Sequence, residues 1–397
     1  MNRRSFSMAG LGALALGGAA RSSPPSTAAR PANGLQAKGA AATHSGAHIA
    51  RADRKAWARH HFKGFENILI PSFTPDLKGL DEEGIRLDVR KSIEHGFFST
   101  LVPAIALSGT EYRRCLEIVV DEAKGRISVA VAGEGGEEGP PGKQLLKDAE
   151  AIGCSHMILS LPPTGTAEEL IRYGTEIAES TNLGIYLWMA QIHDFKRFHR
   201  SRIPFEVFDR LAELPNVIAL KVGDPDAATI FQLFERYNAR MLVGALMPNI
   251  MPFGVKAYGQ QWSGAFTIEA LQTPSHRNAV EYFDLLRSGH YEEAMKIYWD
   301  KIDPAFGAMM RGLGPLMAKG GHAWEHLKIY QFLGGGNGGR MRKDPHQDAL
   351  PPLTAADLEG ARALFTQLGL DPDGAPFEAL QVGRKNYEKG VRAQDVT

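Results

Sequence analysis

Cysteine is nearly absent: the 397-residue chain holds two, Cys115 and Cys154. They lie far apart in the sequence and match no metal-ligand spacing, which argues against a disulfide framework and against a zinc site. Net charge is absent as well, with 45 Lys+Arg against 45 Asp+Glu. So balanced a chain offers no electrostatic footprint for nucleic acid. Past the N-terminus no run approaches the roughly 18 apolar residues of a membrane span, so the mature form is expected to be soluble. No phosphate-binding glycine fingerprint follows the first apolar strand, which argues against a dinucleotide fold. What remains is ordinary globular composition, 44% hydrophobic and 23% charged. It suits one large α/β domain with an appendage, or two medium domains.

The chain opens Met1-Asn2-Arg3-Arg4-Ser5-Phe6-Ser7-Met8, and an Ala- and Gly-rich apolar run continues to Ala20. Paired arginines, a Phe two residues on, and a short weakly apolar run match a twin-arginine export signal. Residues 1–30 are read as that signal. Residues 31–60 are read as a disordered linker, since Ser, Pro, Ala and Gly there cannot bury a core. The expected location is periplasmic or otherwise exported, with the twin-arginine translocation machinery as a partner.

Over residues 61–288 short apolar runs alternate with amphipathic stretches. The strand candidates are Ile68 to Pro71, Phe97 to Val102, Ile127 to Ala132, His156 to Leu161, Gly184 to Met189, Val217 to Val222, Arg240 to Val243 and Ser263 to Ile268. Between them lie helical patterns such as Asp81 to Glu94, with Ile85, Val89 and Ile93 on one face. Continuous apolar strands between such helices imply parallel strands buried on both faces. Eight units favour an α/β (β/α)8 TIM barrel over a doubly wound sheet. Residues 289–397 then read as a C-terminal helical appendage, for packing, oligomerisation or covering the barrel. Within it, the glycine-rich run Gly334 to Gly339 reads as a flexible loop.

Catalytic groups of such a barrel sit at the C-terminal ends of its strands. The sixth strand reads Val217-Ile218-Ala219-Leu220-Lys221-Val222. A lysine inside an apolar strand is costly unless it is neutral, paired or at the rim. A neutral amine is a nucleophile for carbonyl carbon, which makes Lys221 a candidate Schiff-base former. The competing reading is a lysine that snorkels at the strand end.

The stretch Pro215 to Lys221, followed by Asp226, resembles the Schiff-base strand of the dihydrodipicolinate synthase and N-acetylneuraminate lyase family. Ile70-Pro71-Ser72-Phe73-Thr74 with Gly79 to Gly84, Gly125 to Val129, Leu161-Pro162-Pro163, and Leu333-Gly334 with Arg340 and Leu350 to Leu353 are similar to other parts of it, in the same order. The resemblance implies a (β/α)8 barrel with C-terminal helices, often tetrameric. It implies class I aldolase or dehydratase chemistry on a small carbonyl compound. No metal or other cofactor, no nucleic acid and no membrane would then be involved.

Three departures bear on the site. The family's Gly-Thr-Thr-Gly-Glu loop holds the carboxylate of a pyruvate-like substrate. Here the loop is shorter, leaving Ser108 and Thr110 as hydroxyl candidates, and Ser108 with Glu111 also reads as a helix capping box. The family's proton-relaying tyrosine aligns with Trp188, whose indole only donates and has no usable pKa. Tyr186 shares that strand face one layer deeper. It is the remaining proton-relay candidate or else a core tyrosine, and Trp188 becomes a pocket wall. Finally, Gln191 to Arg202 is long and basic. His193 is its candidate for acid–base work and Arg197 for binding an acidic group, unless the loop is simply solvated. Two functions stay open: a Schiff-base lyase acting on a 2-oxo acid or related carbonyl compound, and an exported non-catalytic barrel that binds a small molecule.

Overall fold

The computed structural model of the protein describes residues 49–132, 142–190, 193, 195–317, 323–342 and 350–395. The segment read as an export signal, residues 1–30, lies outside the described residues, as do Gln191, Ile192 and Asp194 of the basic loop. Eight parallel strands alternate with helices: β1 (Gly64–Ile68), α2 (Glu82–Glu94), β2 (Ser99–Val102), α3 (Gly109–Ala123), β3 (Ser128–Ala132), α4 (Lys143–Ile152), β4 (His156–Leu159) and α5 (Ala167–Ser180). The second half continues with β5 (Gly184–Ala190), α6 (Phe205–Leu211), β6 (Val217–Gly223), α7 (Ala227–Tyr237), β7 (Leu242–Ala245), α8 (Met251–Tyr258), β8 (Trp262–Phe266) and α9 (Asn278–Arg287). They are preceded by α1 (Arg54–His61). The strands pair in the order β7-β6-β5-β4-β3-β2-β1-β8. Side chains close the remaining seam: Gln260 Nε2 donates to the carbonyls of Ala245 and Trp262, each at 3.0 Å. The expected (β/α)8 barrel is therefore the fold. No helix among the described residues is long and apolar enough to cross a membrane.

Each strand sends alternate side chains to opposite faces. One set (Ile185, Leu187, Met189 and their counterparts) packs under the helices in the outer core. The other (Ile158, Tyr186, Ala219, Leu242, Trp262) fills the barrel. The first strand lies four residues before the expected Ile68 to Pro71, because its inward position is a carboxylate. Glu66 is fully buried, accepting from Tyr186 Oη at 2.6 Å and paired with His156 Nε2 at 2.7 Å. Burial alone would push this carboxyl up. The hydrogen bond and charge of His156, with Tyr186 and Ser99, outweigh it and hold the group below its usual value.

The linker expected over residues 31–60 is structured by its end. The turn Arg51–Asp53 and α1 lie across the N-terminal end of the barrel, with Trp57 and Ala58 in the inner core cluster. Helix C-termini present carbonyls without intrahelical partners, and a cation there also meets the negative end of the macrodipole. Arg51, Lys55 and Arg59, four residues apart, serve successive barrel helices in turn. Arg51 donates to Glu179 O (3.0 Å) at the end of α5, Lys55 to Ala212 O (2.6 Å) after α6, and Arg59 to Ala239 O (3.1 Å) after α7. Composition missed this helix because its buried face is short and its other residues are polar.

The C-terminal region comprises α10 (Tyr291–Ile297), a π turn (Tyr298–Ile302), α11 (Asp303–Met317), α12 (Trp324–Leu333), α13 (Ala355–Gln367), α14 (Phe377–Val382) and α15 (Arg384–Glu388). Gly334 to Gly339 is not a loose loop: it is mostly buried, and Asn337 is its anchor. The Asn337 N–H donates to Asp88 (2.7 Å), its side chain donates to Asp81 (3.0 Å), and it accepts from Lys385 N–H (3.0 Å). Glycine composition signalled flexibility, whereas α14 and α15 supply the cover that orders the run.

A second polar cluster joins α12 to the barrel wall. Asn67 Nδ2 donates to Glu269 Oε1 (2.7 Å), and Gln331 Nε2 donates to Ile68 O (2.6 Å). Asn67 Oδ1 and Glu269 Oε2 are buried without a hydrogen-bond partner. Burial pushes the Glu269 carboxyl up to about 7. The two cysteine thiols, fully buried in the outer core, are pushed up to about 12.

Candidate active site

Lys221 lies inside the barrel near the C-terminal end of β6, 4% exposed. It is there because β6 alternates: Leu220 and Val222 pack outward under the helices, leaving Ala219 and Lys221 for the inner face. Its register partner on β5 is Trp188, and its amine stands 4.9 Å from the centre of the Trp188 ring. This is the range of a cation–π contact.

Two glycines make the space beneath. A Cβ on Gly244 would come within 2.8 Å of the Trp262 indole, and one on Gly264 within 2.7 Å of that indole and 3.2 Å of Lys221 Cδ. Only glycine at both positions leaves room for the Trp262 indole beside the lysine stem. The tryptophan forms an apolar floor. Tyr186 lies on the far side of it, with ring centroids 5.4 Å apart.

His193 joins Lys221 and Trp188. Its ring meets the Trp188 ring edge-on at 4.8 Å and stacks toward Phe195. Burial, reinforced by the nearby charge of Lys221, pushes the imidazole down to about 4, so it is neutral at neutral pH. Nδ1 accepts from the Ala190 N–H at 3.2 Å. In the neutral ring this leaves the proton on Nε2.

The other expected residues are elsewhere. Tyr186 is fully buried, with its phenol committed to Glu66 and pushed well above its usual pKa by burial and that carboxylate. Ser108 is the N-cap of α3, in a complete capping box with Glu111. Thr110 is exposed in the first turn of the same helix. Arg197 donates to the carbonyls of Pro163 (2.8 Å) and Gly165 (3.1 Å), with its guanidinium over the Phe198 ring at 4.3 Å. It braces the loop after β4 from an exposed position. Lys221, Trp188 and His193 thus converge, and Tyr186, Ser108, Thr110 and Arg197 do not join them.

Ser160 went unnoticed in the sequence. Two residues beyond the inward Ile158, it continues the register that sets Ile158 beside Tyr186, so it falls next to Trp188 on the inner wall. Its Oγ is buried and lacks a hydrogen-bond partner. Strand alternation was the available signal, but a serine at a strand end draws no attention. Among the described residues no group of His, Cys, Asp and Glu could hold a metal ion.

Residues 78–297 match the model of the dihydrodipicolinate synthetase family. The chain is 26% identical over 321 residues to a 4-hydroxy-tetrahydrodipicolinate synthase of Methanopyrus kandleri, covering 79% of this chain and 98% of the relative. A synthase of the same name from Methanocaldococcus jannaschii is 27% identical over 268 residues, covering 65% and 86%. Among solved structures, N-acetylneuraminate lyase from Fusobacterium nucleatum complexed with pyruvate superposes with a TM-score of 0.63 at 18% identity, over 78% of this chain and 97% of that one. Dihydrodipicolinate synthase from Aquifex aeolicus gives 0.58 at 15% identity, over 79% and 100%. The structural likenesses speak to the fold, and the family model spans more than half of the sequence: this chain belongs to the dihydrodipicolinate synthetase family.

Proposed function

We propose that the protein is a Schiff-base-forming lyase of the aldolase type, acting through Lys221 on a 2-oxo acid or related carbonyl compound. The observation that carries this reading is the buried Lys221 inside the barrel at the C-terminal end of β6, walled by Trp188 and Trp262. The names of the similar proteins, 4-hydroxy-tetrahydrodipicolinate synthase and an N-acetylneuraminate lyase with pyruvate, support the same class of chemistry.

The Lys221 amine attacks the carbonyl carbon, the carbonyl oxygen leaves as water after taking up two protons, and an iminium remains. That iminium takes up the electron pair of a neighbouring C–C bond as the bond breaks, or of a C–H bond whose proton is removed, giving an enamine that then expels a β oxygen together with its bonding pair. A proton carrier is required at each stage. Trp188 has no usable pKa, and Tyr186 is tied to Glu66 beneath the Trp262 floor. His193, neutral and with Nδ1 accepting from the Ala190 N–H, does not carry the proton either; we assign it the polarising of a carbonyl or hydroxyl oxygen through Nε2–H, with solvent water as the proton carrier. The paired arginines Arg3 and Arg4 support an exported enzyme; loss of export in an Arg3→Lys, Arg4→Lys variant, read by cell fractionation, checks that part.

Borohydride trapping tests the reaction. The protein is incubated with pyruvate and a panel of other 2-oxo acids and aldehydes, reduced, and weighed by mass spectrometry. The expected result is a ligand-dependent mass gain mapped to Lys221 and absent in Lys221→Ala. An adduct that persists in Lys221→Ala, or no adduct with any compound, overturns the reading.

A further inference from the structure

The C-terminal region reaches the mouth of the barrel through Arg342 and its neighbour Arg340. The Arg342 guanidinium engages Glu111 with two nitrogens, at 2.7 and 2.8 Å. That pairing, with the capping contacts from Ser108, holds the Glu111 carboxyl down at about 2. Arg342 Nε donates to Leu77 O at 2.7 Å, and Nη1 to Ala106 O at 3.3 Å. The guanidinium plane lies over the Phe73 ring at 4.5 Å. Beside it, Arg340 donates to Pro75 O at 3.0 Å.

These acceptors share two properties. Phe73, Pro75 and Leu77 belong to the loop after β1, and Ala106 to the loop after β2. Both loops stand at the C-terminal end of the barrel, across the mouth from β6 and Lys221. Leu77 and Ala106 also adopt positive φ angles, +61° and +53°. Side chains with a Cβ avoid that region, and they remain there only when their surroundings hold them. Both strained residues give their carbonyls to the same guanidinium. A planar fork with five N–H donors can serve a carboxylate and two carbonyls at once, and an ammonium cannot.

We propose that Arg342 is a positioning residue for the mouth of the barrel: it fixes the loops after β1 and β2 as the rim opposite Lys221. Where the Schiff-base reading holds, on which this consequence rests, the rim sets how readily a carbonyl compound is taken up without altering the chemistry at Lys221. The C-terminal appendage is then part of the site's architecture. The bonds to the two strained carbonyls do the positioning.

The test uses the full chain with Arg342→Ala, Arg342→Lys and Glu111→Gln, and two readouts. The first is backbone amide exchange over residues 74–79 and 103–108. Loss of protection confined to those two stretches is expected in Arg342→Ala and Arg342→Lys, while the strands and α12 keep theirs. Glu111→Gln, which can still cap α3 and leaves the carbonyl bonds in place, is expected to stay close to wild type. The second readout is borohydride trapping with pyruvate across a concentration series. The half-saturating concentration should rise roughly tenfold in Arg342→Ala, the scale of one charge-assisted hydrogen bond, with the limiting adduct yield unchanged. Unchanged protection in Arg342→Ala overturns the proposal, and so does wild-type behaviour of Arg342→Lys, which would reduce the role to charge. Loosened loops with an unchanged half-saturation overturn the consequence for uptake. If the wild-type protein forms no adduct with any carbonyl compound, the Schiff-base reading fails, and the exchange measurement alone decides the role of Arg342.

Discussion

Replacing Glu269 by glutamine should make the protein more stable above neutral pH and leave it unchanged in mild acid. Glu269 is buried against Asn67 and Gln331, and its Oε2 has no partner. Burial raises its folded-state pKa from 4.5 to about 7. The folded state therefore binds the proton more tightly than the unfolded chain does. Stability contributed by this group is full below about pH 4.5, falls as pH rises toward 7, and is flat above that. At about 1.4 kcal/mol per pKa unit, ionising the side chain in place costs on the order of 3 kcal/mol. Glutamine avoids that cost. Urea denaturation of wild type and Glu269→Gln at pH 4 and pH 8 reads the difference directly. Other groups titrate in the same window, Asp88 among them, with a carboxyl raised to about 6 by burial. The charge of Asp88 itself helps to raise Glu269, so removing the Glu269 charge also relieves Asp88 and adds to the gap at pH 8. A gap that is absent at pH 8, or a wild type more stable there than the variant, would refute the reasoning, because Glu269 would then be ionised and compensated.

Other substitutions separate structural from chemical roles. Tyr186→Phe strips Glu66 of one buried donor and should cost about 1–3 kcal/mol in denaturant unfolding, while adduct formation at Lys221 proceeds at the wild-type level. Loss of the adduct would return Tyr186 to the chemistry. Gly264→Ala drives a methyl group into Trp262 and the Lys221 stem; it should destabilise by about 1–3 kcal/mol and weaken trapping, and wild-type behaviour in both assays would disprove the packed floor. Cys115 and Cys154, with thiols pushed up to about 12 by burial, should resist an aromatic disulfide reagent in the native protein and react stoichiometrically on unfolding. Rapid labelling of either thiol under native conditions would contradict their burial.

Most of the barrel was legible because apolar strands and amphipathic helices carry different periods, and eight repetitions leave little choice of architecture. The exceptions are positions where a local rule yields to a distant partner. β1 was displaced because a carboxylate at its inward position is acceptable only beside His156, 90 residues away. The helix Arg54–His61 looked like linker because its basic residues find their acceptors only once the barrel helices are in place. The glycine-rich run looked mobile because its cover comes from α14 and α15. Within the site, Lys221 was readable from its place in an apolar strand, Trp188 from the family tyrosine it stands in for, and His193 as the acid–base candidate of the basic loop. Ser160 was readable from strand alternation but chemically inconspicuous. Arg342 was not readable at all: it bonds residues 231 and 265 positions away, and nothing local distinguishes it from a surface arginine.

The row of cations at the closed end of the barrel has a consequence for the order of assembly. Arg51, Lys55 and Arg59 bond carbonyls 128, 157 and 180 residues further along the chain. The first described helix to be synthesised therefore has nowhere to dock until α5, α6 and α7 have been made and folded against their strands. Closing such long loops carries an entropic cost that local contacts do not. Seating α1 is accordingly a late event. A chain that stops short of Ala239 lacks the last acceptor in the row and leaves Trp57 and Ala58 without their place in the core. The N-terminal helix thus acts as a completion check, locking only onto a barrel whose middle helices are already present.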